Sequence, residues 1–316
     1  MIQELYTYKD TTEGEAQAYI WLPQGKVKCV LQIVHGMTEH IGRYGNLAKV
    51  LTQEGIAVAG FDLRGHGTKG KGMACASLGE DGWKATLEDI NQLHLSLKKR
   101  FADAKQYLLG FSLGSFLVRE YFSTYEDHDF AGTIIMGTGQ QPTLVLSVIM
   151  AIVKGEIKKV GHDNTTDLVR NLSFGTYNKK YSPNRTRADW LCSDETELDN
   201  YIGDALCKAD ISAGLFWQLL ASMKRTANKN TYQKWKKEMP VLLISGEDDS
   251  VGDAGKGVRL VDKSMKNGGL KNVTLKLYPG ARHDILHEED SGAASSVYQV
   301  IKEMMLPMLS YNDLKL

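Results

Sequence analysis

Three separated groups of residues have the types and order needed for nucleophilic chemistry. Gly110-Phe111-Ser112-Leu113-Gly114-Ser115 places G-x-S-x-G directly after the apolar run Tyr107-Leu108-Leu109 and before a helical pattern. In that context the chain turns sharply from strand into helix and exposes the serine hydroxyl. Glycine is needed at 110 and 114, where side chains would collide, and Ser115 is small enough for the same corner. A serine hydroxyl needs a base, and the base needs an orienting acid. Gly246-Glu247-Asp248-Asp249-Ser250 follows a second apolar run, and Gly280-Ala281-Arg282-His283-Asp284 follows a third. The chain order serine, acid, histidine is one in which such triads occur. Ser112 is the expected nucleophile. Asp249 is the expected acid, with Asp248 second among Glu247, Asp248, Asp249 and Asp253. His283 is the expected base, with His287, at the expected start of the next helix, in reserve.

Acyl transfer also requires donors for a developing oxyanion. The backbone N–H of Leu113, next to the nucleophile, is one. Ile33-Val34-His35-Gly36-Met37 ends an early strand, and the N–H of Met37 is assigned the second. His35 then becomes a structural residue held by hydrogen bonds. His94 falls in a helical pattern, and His128 and His162 in polar, loop-like segments.

Two other motifs come close and fail. Gly65, Gly67 and Gly70 fit G-x-G-x-x-G, but glycines continue to Gly72 where a dinucleotide fingerprint must open a helix. The same stretch lacks the Ser/Thr of a P-loop, because position 72 is glycine. His283-Asp284-Ile285-Leu286-His287 echoes H-E-x-x-H, yet it sits directly after a strand turn where a zinc site needs a helix. The reading is therefore of a site without cofactor and without metal.

The elements that position these residues alternate. Glu15–Leu22, Val27–Val34, Ile56–Leu63, Lys105–Phe111, Gly132–Gly137, Val241–Gly246 and Val273–Tyr278 read as strands. Helical spacing at Tyr44, Leu47, Ala48 and Leu51, and from Ser112 to Thr124, separates some of them. Alternation of this kind predicts an α/β fold: a mostly parallel central sheet with helices on both faces. It lapses over 140–237, which shows short helical patterns and little strand character. The expected organisation is a core of 1–139 and 238–316 interrupted by a mainly helical insertion, 140–237. The last helix carries Val297, Val300, Ile301, Met304, Met305 and Met308 on one face, read as core.

With 316 residues, 42% of them hydrophobic, the chain has material for a sizeable core. Lys+Arg equals Asp+Glu at 38 each, so no net charge draws it to nucleic acid. Lys234-Trp235-Lys236-Lys237 reads as a solvated surface cluster. Cys29, Cys75, Cys192 and Cys207 have no C-x-x-C spacing and read as reduced thiols of a cytoplasmic protein. The N-terminus shows no secretory signal. Leu144 to Val153 is an apolar run far short of a membrane span. Its preferred reading is a packed helix. The alternative is an exposed acyl entrance or a patch that touches membranes transiently.

Taken together, these motifs resemble the α/β-hydrolase family, in its monoacylglycerol lipase/lysophospholipase-like branch. His35-Gly36-Met37-Thr38-Glu39-His40 with Arg43-Tyr44 looks like the branch's H-G-x-x-E-H…R-Y segment. Asp62-Leu63-Arg64-Gly65-His66-Gly67 looks like its D-x-R-G-H-G segment. Asp249 and His283 fall on its acid and base positions. Phe111, Ser115 and Ser250 depart from the residues common there. The resemblance implies an α/β-hydrolase fold whose insertion is a cap over an acyl pocket, with Phe174, Trp190 and Trp217 as candidates to line it. It implies a carboxylic ester hydrolase acting on a monoacylglycerol, a lysophospholipid or a similar small acyl ester. A peptidase, thioesterase or amidase with the same triad is the alternative, and a non-catalytic binding protein the next.

Overall fold

The computed structural model describes residues 1–9, 14–208, 210–289 and 292–306. Its centre is an eight-stranded sheet of β1 (Ile2–Lys9), β2 (Glu15–Leu22), β3 (Cys29–Val34), β4 (Ile56–Gly60), β5 (Lys105–Phe111), β6 (Gly132–Met136), β7 (Val241–Gly246) and β8 (Val273–Tyr278). The strand order is β1-β2-β4-β3-β5-β6-β7-β8. β1 and β2 are antiparallel to their neighbours, and every pair from β4 to β8 is parallel. β3 starts toward β4 on one side and β5 on the other. Open sheets collect their chemistry at such a reversal, outside the carboxyl ends of the strands.

Apart from exposed Lys105 at the start of β5, strands β3 to β7 are buried along their length, as apolar runs covered on both faces must be. Alternate residues serve two cores. Val30 and Val34 join a cluster with α2 (Gly82–Arg100), α3 (Leu113–Thr124) and α9 (Lys256–Asn267). Cys29, Leu31 and Ile33 face α1 (Gly45–Gln53) and α10 (Ala293–Met305) on the other side. Val297, Ile301 and Met305 of α10 are buried and Val300 and Met304 partly so, which is the core role expected of that stripe. Met308 lies outside the described residues.

β1 carries no apolar run and is absent from the sequence reading. It is an edge strand whose inward Tyr8 is buried, and Tyr6 bonds Ser96 of α2 at 2.6 Å. The lysine cluster at 234–237 also differs from a plain solvated face. Trp235 is buried, and Lys237 Nζ donates to the carbonyls of Gln233 and Gly268, where helices end.

Residues 140–237 form helices: α4 (Thr143–Val160), α5 (Asp167–Ser173), α6 (Glu195–Gly203), α7 (Ala213–Thr226) and α8 (Lys229–Gln233). α7 packs against both α4 and α3, so these helices are seated on the sheet layer. The preferred packed reading of α4 accounts for one face only. Leu146 and Val153 are buried, whereas Leu144 is 76% exposed and Val148 56%, with Val145 and Ile152 beside them. A helix resting on one neighbour buries one stripe and leaves the opposite one to solvent.

Candidate active site

Ser112 sits between β5 and α3 with φ 50° and ψ −116°, a conformation that L-residues rarely adopt. Its flanking glycines are obligatory for steric reasons. A Cβ on Gly114 would lie 1.9 Å from the Val34 carbonyl oxygen, and one on Gly110 would lie 2.4 Å from that of Gly114. The elbow is pinned by Ser112 N–H to Met136 O at 3.0 Å and by Ser115 Oγ to Ser112 O at 2.6 Å. Ser115 therefore has a bonding role that its small size alone does not convey.

β7 and β8 run parallel, and their ends touch. A Cβ on Gly246 would lie 2.1 Å from the carbonyl oxygens of Ala281 and Arg282. This approach brings Asp249 to His283, with Oδ2 and Nδ1 2.9 Å apart. Asp249 is fully buried. Its Oδ2 also accepts from Ser245 Oγ at 3.0 Å, and its Oδ1 from Val251 N–H at 2.7 Å. Both oxygens accept, so the group is held as a carboxylate and His283 Nδ1 must donate. Among the described residues His283 Nε2 has no hydrogen-bond partner. The imidazole is packed between Phe111 and Trp190, with ring centroids at 4.9 and 5.2 Å.

The competing carboxylates go elsewhere. Asp248 pairs with Lys180 at 2.5 Å, and Glu247 and Asp253 are exposed. His287 precedes α10 in a turn rather than starting a helix, and it bonds Asp284 at 2.9 Å instead of Asp249. His94 is buried against Gln106 and Asp129. His128 is buried among the rings of Phe122 and Phe130, although its segment is polar.

The loop after β3 approaches the elbow. His35 Nε2 accepts from Leu63 N–H at 2.9 Å, so Nδ1 carries the proton and donates to Gly36 O at 2.8 Å. Burial lowers its pKa to about 4, so it is neutral and structural at neutral pH. Gly36 N–H donates to Glu39 Oε1 at 2.6 Å. Glu39 is held in turn by Tyr44 Oη at 2.9 Å and Arg43 at 2.5 Å, and Arg43 reaches Asp284 at 2.9 Å. These buried charges tie the β3 loop to the residue beside His283. The H-G-x-x-E-H…R-Y match carries Glu39, Arg43 and Tyr44 in the sequence, whereas Asp284 joins them only through the fold. The N–H groups of Met37 and Leu113 donate to no backbone acceptor among the described residues. For Leu113 the cause is general, since the first turn of a helix lacks intrahelical acceptors.

The stretch that mimics nucleotide motifs is a structural turn. Asp62 accepts from Ile41 N–H at 3.1 Å, Thr68 N–H at 2.8 Å and Thr68 Oγ1 at 2.7 Å. Residues Gly67–Gly70 form a 3₁₀ turn and open no α-helix.

Ser112, His283, Met37 and Leu113 border one cavity. Phe174 and Trp190 line it as well. Trp217 does not: it packs against the main core. α7 presents Leu219 and Met223, one turn apart, to the cavity, and position 217 falls on another side of that helix. Phe111, Tyr177 and Tyr201 also line the cavity and carry no sequence signal for it. Ser250 Oγ donates to Tyr177 O at 2.9 Å, linking the loop after β7 to the segment before α6. One trio among the described residues, His40, Asp204 and Cys207, has ligand atoms within 4.8 Å of one another. His40 and Asp204 already satisfy each other at 2.7 Å, and burial pushes the Cys207 thiol up to about 12, against the thiolate a metal requires.

Comparison with known proteins follows the same lines. The profile of the Hydrolase_4 family, described as serine aminopeptidase, S33, matches residues 25–290. Human monoglyceride lipase is 26% identical over 283 residues, covering 89% of this chain and 83% of that protein. Monoacylglycerol lipase of Mycolicibacterium smegmatis is 24% identical, covering 86% of each. A carboxyl esterase from Bacillus coagulans, solved with glycerol, superposes with a TM-score of 0.84 at 23% identity, covering 96% of this chain and 99% of that one. A soluble variant of monoglyceride lipase from Saccharomyces cerevisiae gives 0.71 at 20% identity, covering 96% and 94%. At these identities the two structures speak to the fold, which is that of α/β-hydrolases.

Proposed function

The chain belongs to the Hydrolase_4 family of serine aminopeptidase S33 type, and on that premise we propose that it hydrolyses small carboxylic acyl esters through an acyl-enzyme. The observation that carries the reading is one imidazole. His283 is oriented by a buried carboxylate at 2.9 Å, leaves Nε2 without a protein partner, and shares a cavity with the serine of a strained elbow.

Ser112 Oγ attacks the ester carbonyl while His283 Nε2 takes its proton. Asp249 keeps the Nδ1–H tautomer and stabilises the imidazolium. The carbonyl electrons move onto oxygen, which faces the N–H groups of Met37 and Leu113. Collapse expels the alcohol, protonated by His283. Water then attacks the acyl-Ser112 with the same imidazole as base and releases the acid. The apolar lining, Phe116, Leu219 and Met223 among it, suits an acyl chain. No cofactor is used. Residues 140–237 act as the cap, with Phe174 and Trp190 contacting substrate. The monoglyceride lipases among the relatives favour an ester over an amide.

A panel of a monoacylglycerol, a p-nitrophenyl ester, an acyl-CoA and an aminoacyl nitroanilide tests this. The esters are expected to turn over fastest. Preferential cleavage of the nitroanilide would move the assignment to a peptidase, and of acyl-CoA to a thioesterase.

Exposed Leu144, Val145, Val148 and Ile152 suit a lipid surface, from which acyl esters are drawn. No described helix is long and apolar enough to cross a membrane. In liposome co-sedimentation the protein is expected in the pellet and a Val148→Asp variant in the supernatant. Equally negligible binding by both removes the membrane role. The four cysteines are free thiols, three of them buried, which suits the reducing cytoplasm.

A further inference from the structure

A second chamber adjoins the cavity that holds Ser112. Thr38, Phe174, Trp190, Leu191 and Tyr201 border both. The two differ in charge. In the first, the lining ions Glu39 and Arg43 neutralise each other at 2.5 Å, and Phe116, Leu219 and Met223 lie away from the shared wall. The second is lined by Arg170, Arg187 and Lys208 against one carboxylate, Asp210. Arg170 is already matched by Asp210 at 2.9 Å and Asp167 at 2.5 Å. Lys208 places Nζ 3.1 Å from the neutral carbonyl of Met73. Arg187 is exposed and makes no ion pair or hydrogen bond to the described residues. Arg187 and Lys208 are therefore left without an ion pair to the described residues, in a chamber beside the β3 loop, where Lys208 N–H holds Thr38 O at 2.9 Å.

An ester has two arms, and the two chambers offer them different solvents. We propose that the apolar cavity takes the acyl chain and the cationic chamber takes the alcohol, selecting one that carries a phosphate, as in acyl glycerophosphates. This rests on the ester-hydrolase reading above. Arg187 supplies a planar fork that binds phosphate oxygens in pairs, and Lys208 adds a point charge to the lining of the same chamber. The chemistry is unchanged: the acyl C–O bond breaks, the leaving alkoxide takes its proton from His283, and the phosphate leaves with the alcohol.

The test is a matched pair, 1-lauroyl-glycerol and 1-lauroyl-glycerol 3-phosphate, each below its micelle concentration, with p-nitrophenyl laurate as reference. The wild-type protein is expected to show the higher kcat/KM on the phosphate ester, and added NaCl to narrow the difference. Arg187→Ala is expected to cut the ratio of the two values about tenfold, the loss of one charge-assisted phosphate contact. Lys208→Met is expected to shift it in the same direction. Wild-type preference for the uncharged ester, or a ratio that Arg187→Ala and salt leave unchanged, overturns the proposal while the hydrolase reading stands. Failure on all three substrates overturns the hydrolase reading and this one with it.

Discussion

Ser112→Ala is expected to lower ester hydrolysis by about five to six orders of magnitude, the scale on which loss of a triad nucleophile is felt. The change removes one oxygen and nothing the elbow depends on. The close approaches there belong to Gly110 and Gly114, and the bonds to the Ser112 N–H and O, which alanine keeps. Folding should be intact by circular dichroism and thermal melting. What remains is binding plus the two N–H donors, worth about a thousandfold over water. Labelling by a fluorophosphonate should vanish with the hydroxyl. A variant that keeps more than a small fraction of its activity, or is still labelled, would place the nucleophile elsewhere.

Asp249→Asn is expected to cost about four orders of magnitude in kcat with little change in fold. Asp249 accepts three hydrogen bonds: from Val251 N–H at one oxygen, and from Ser245 Oγ and His283 Nδ1 at the other. The Val251 amide can only donate, so the asparagine oxygen must face it. The NH₂ group then faces His283, whose Nδ1 must accept, and the ring proton moves to Nε2. Nε2 can no longer take a proton from Ser112. Asp248→Asn is the control: Asp248 is at the surface beside Lys180, and activity should hardly change. The reverse pattern would hand the role to Asp248.

Much of this site is readable from the chain because it is made by short-range sterics. The glycines at 110 and 114 announce an elbow whatever the rest of the molecule does, since only they fit a strand that turns at once into a helix. Strand ends are marked by apolar runs that stop, so the residues following β3, β5, β7 and β8 can be grouped at one sheet edge before any coordinates exist. The choice of His35 as structural also follows from its place ahead of Gly36, and its two bonds agree.

Other features depend on partners distant in sequence. Four acids follow β7 closely, and composition does not separate them; the contact of Gly246 with the loop after β8 brings Asp249, and not the others, to His283. Trp217 and Leu219 share one helix, yet only the rotational setting of α7 on α3 and α4 decides which faces the cavity. The exposed stripe of α4 is chemically the same as its buried one, so burial had to come from packing. β1 gains its meaning from pairing with β2 and from α2 beneath it. Local backbone geometry is written in neighbouring residues. The phase of a helix, the partner of an edge strand and the meeting of two loops are set by contacts that form only when the whole chain has folded.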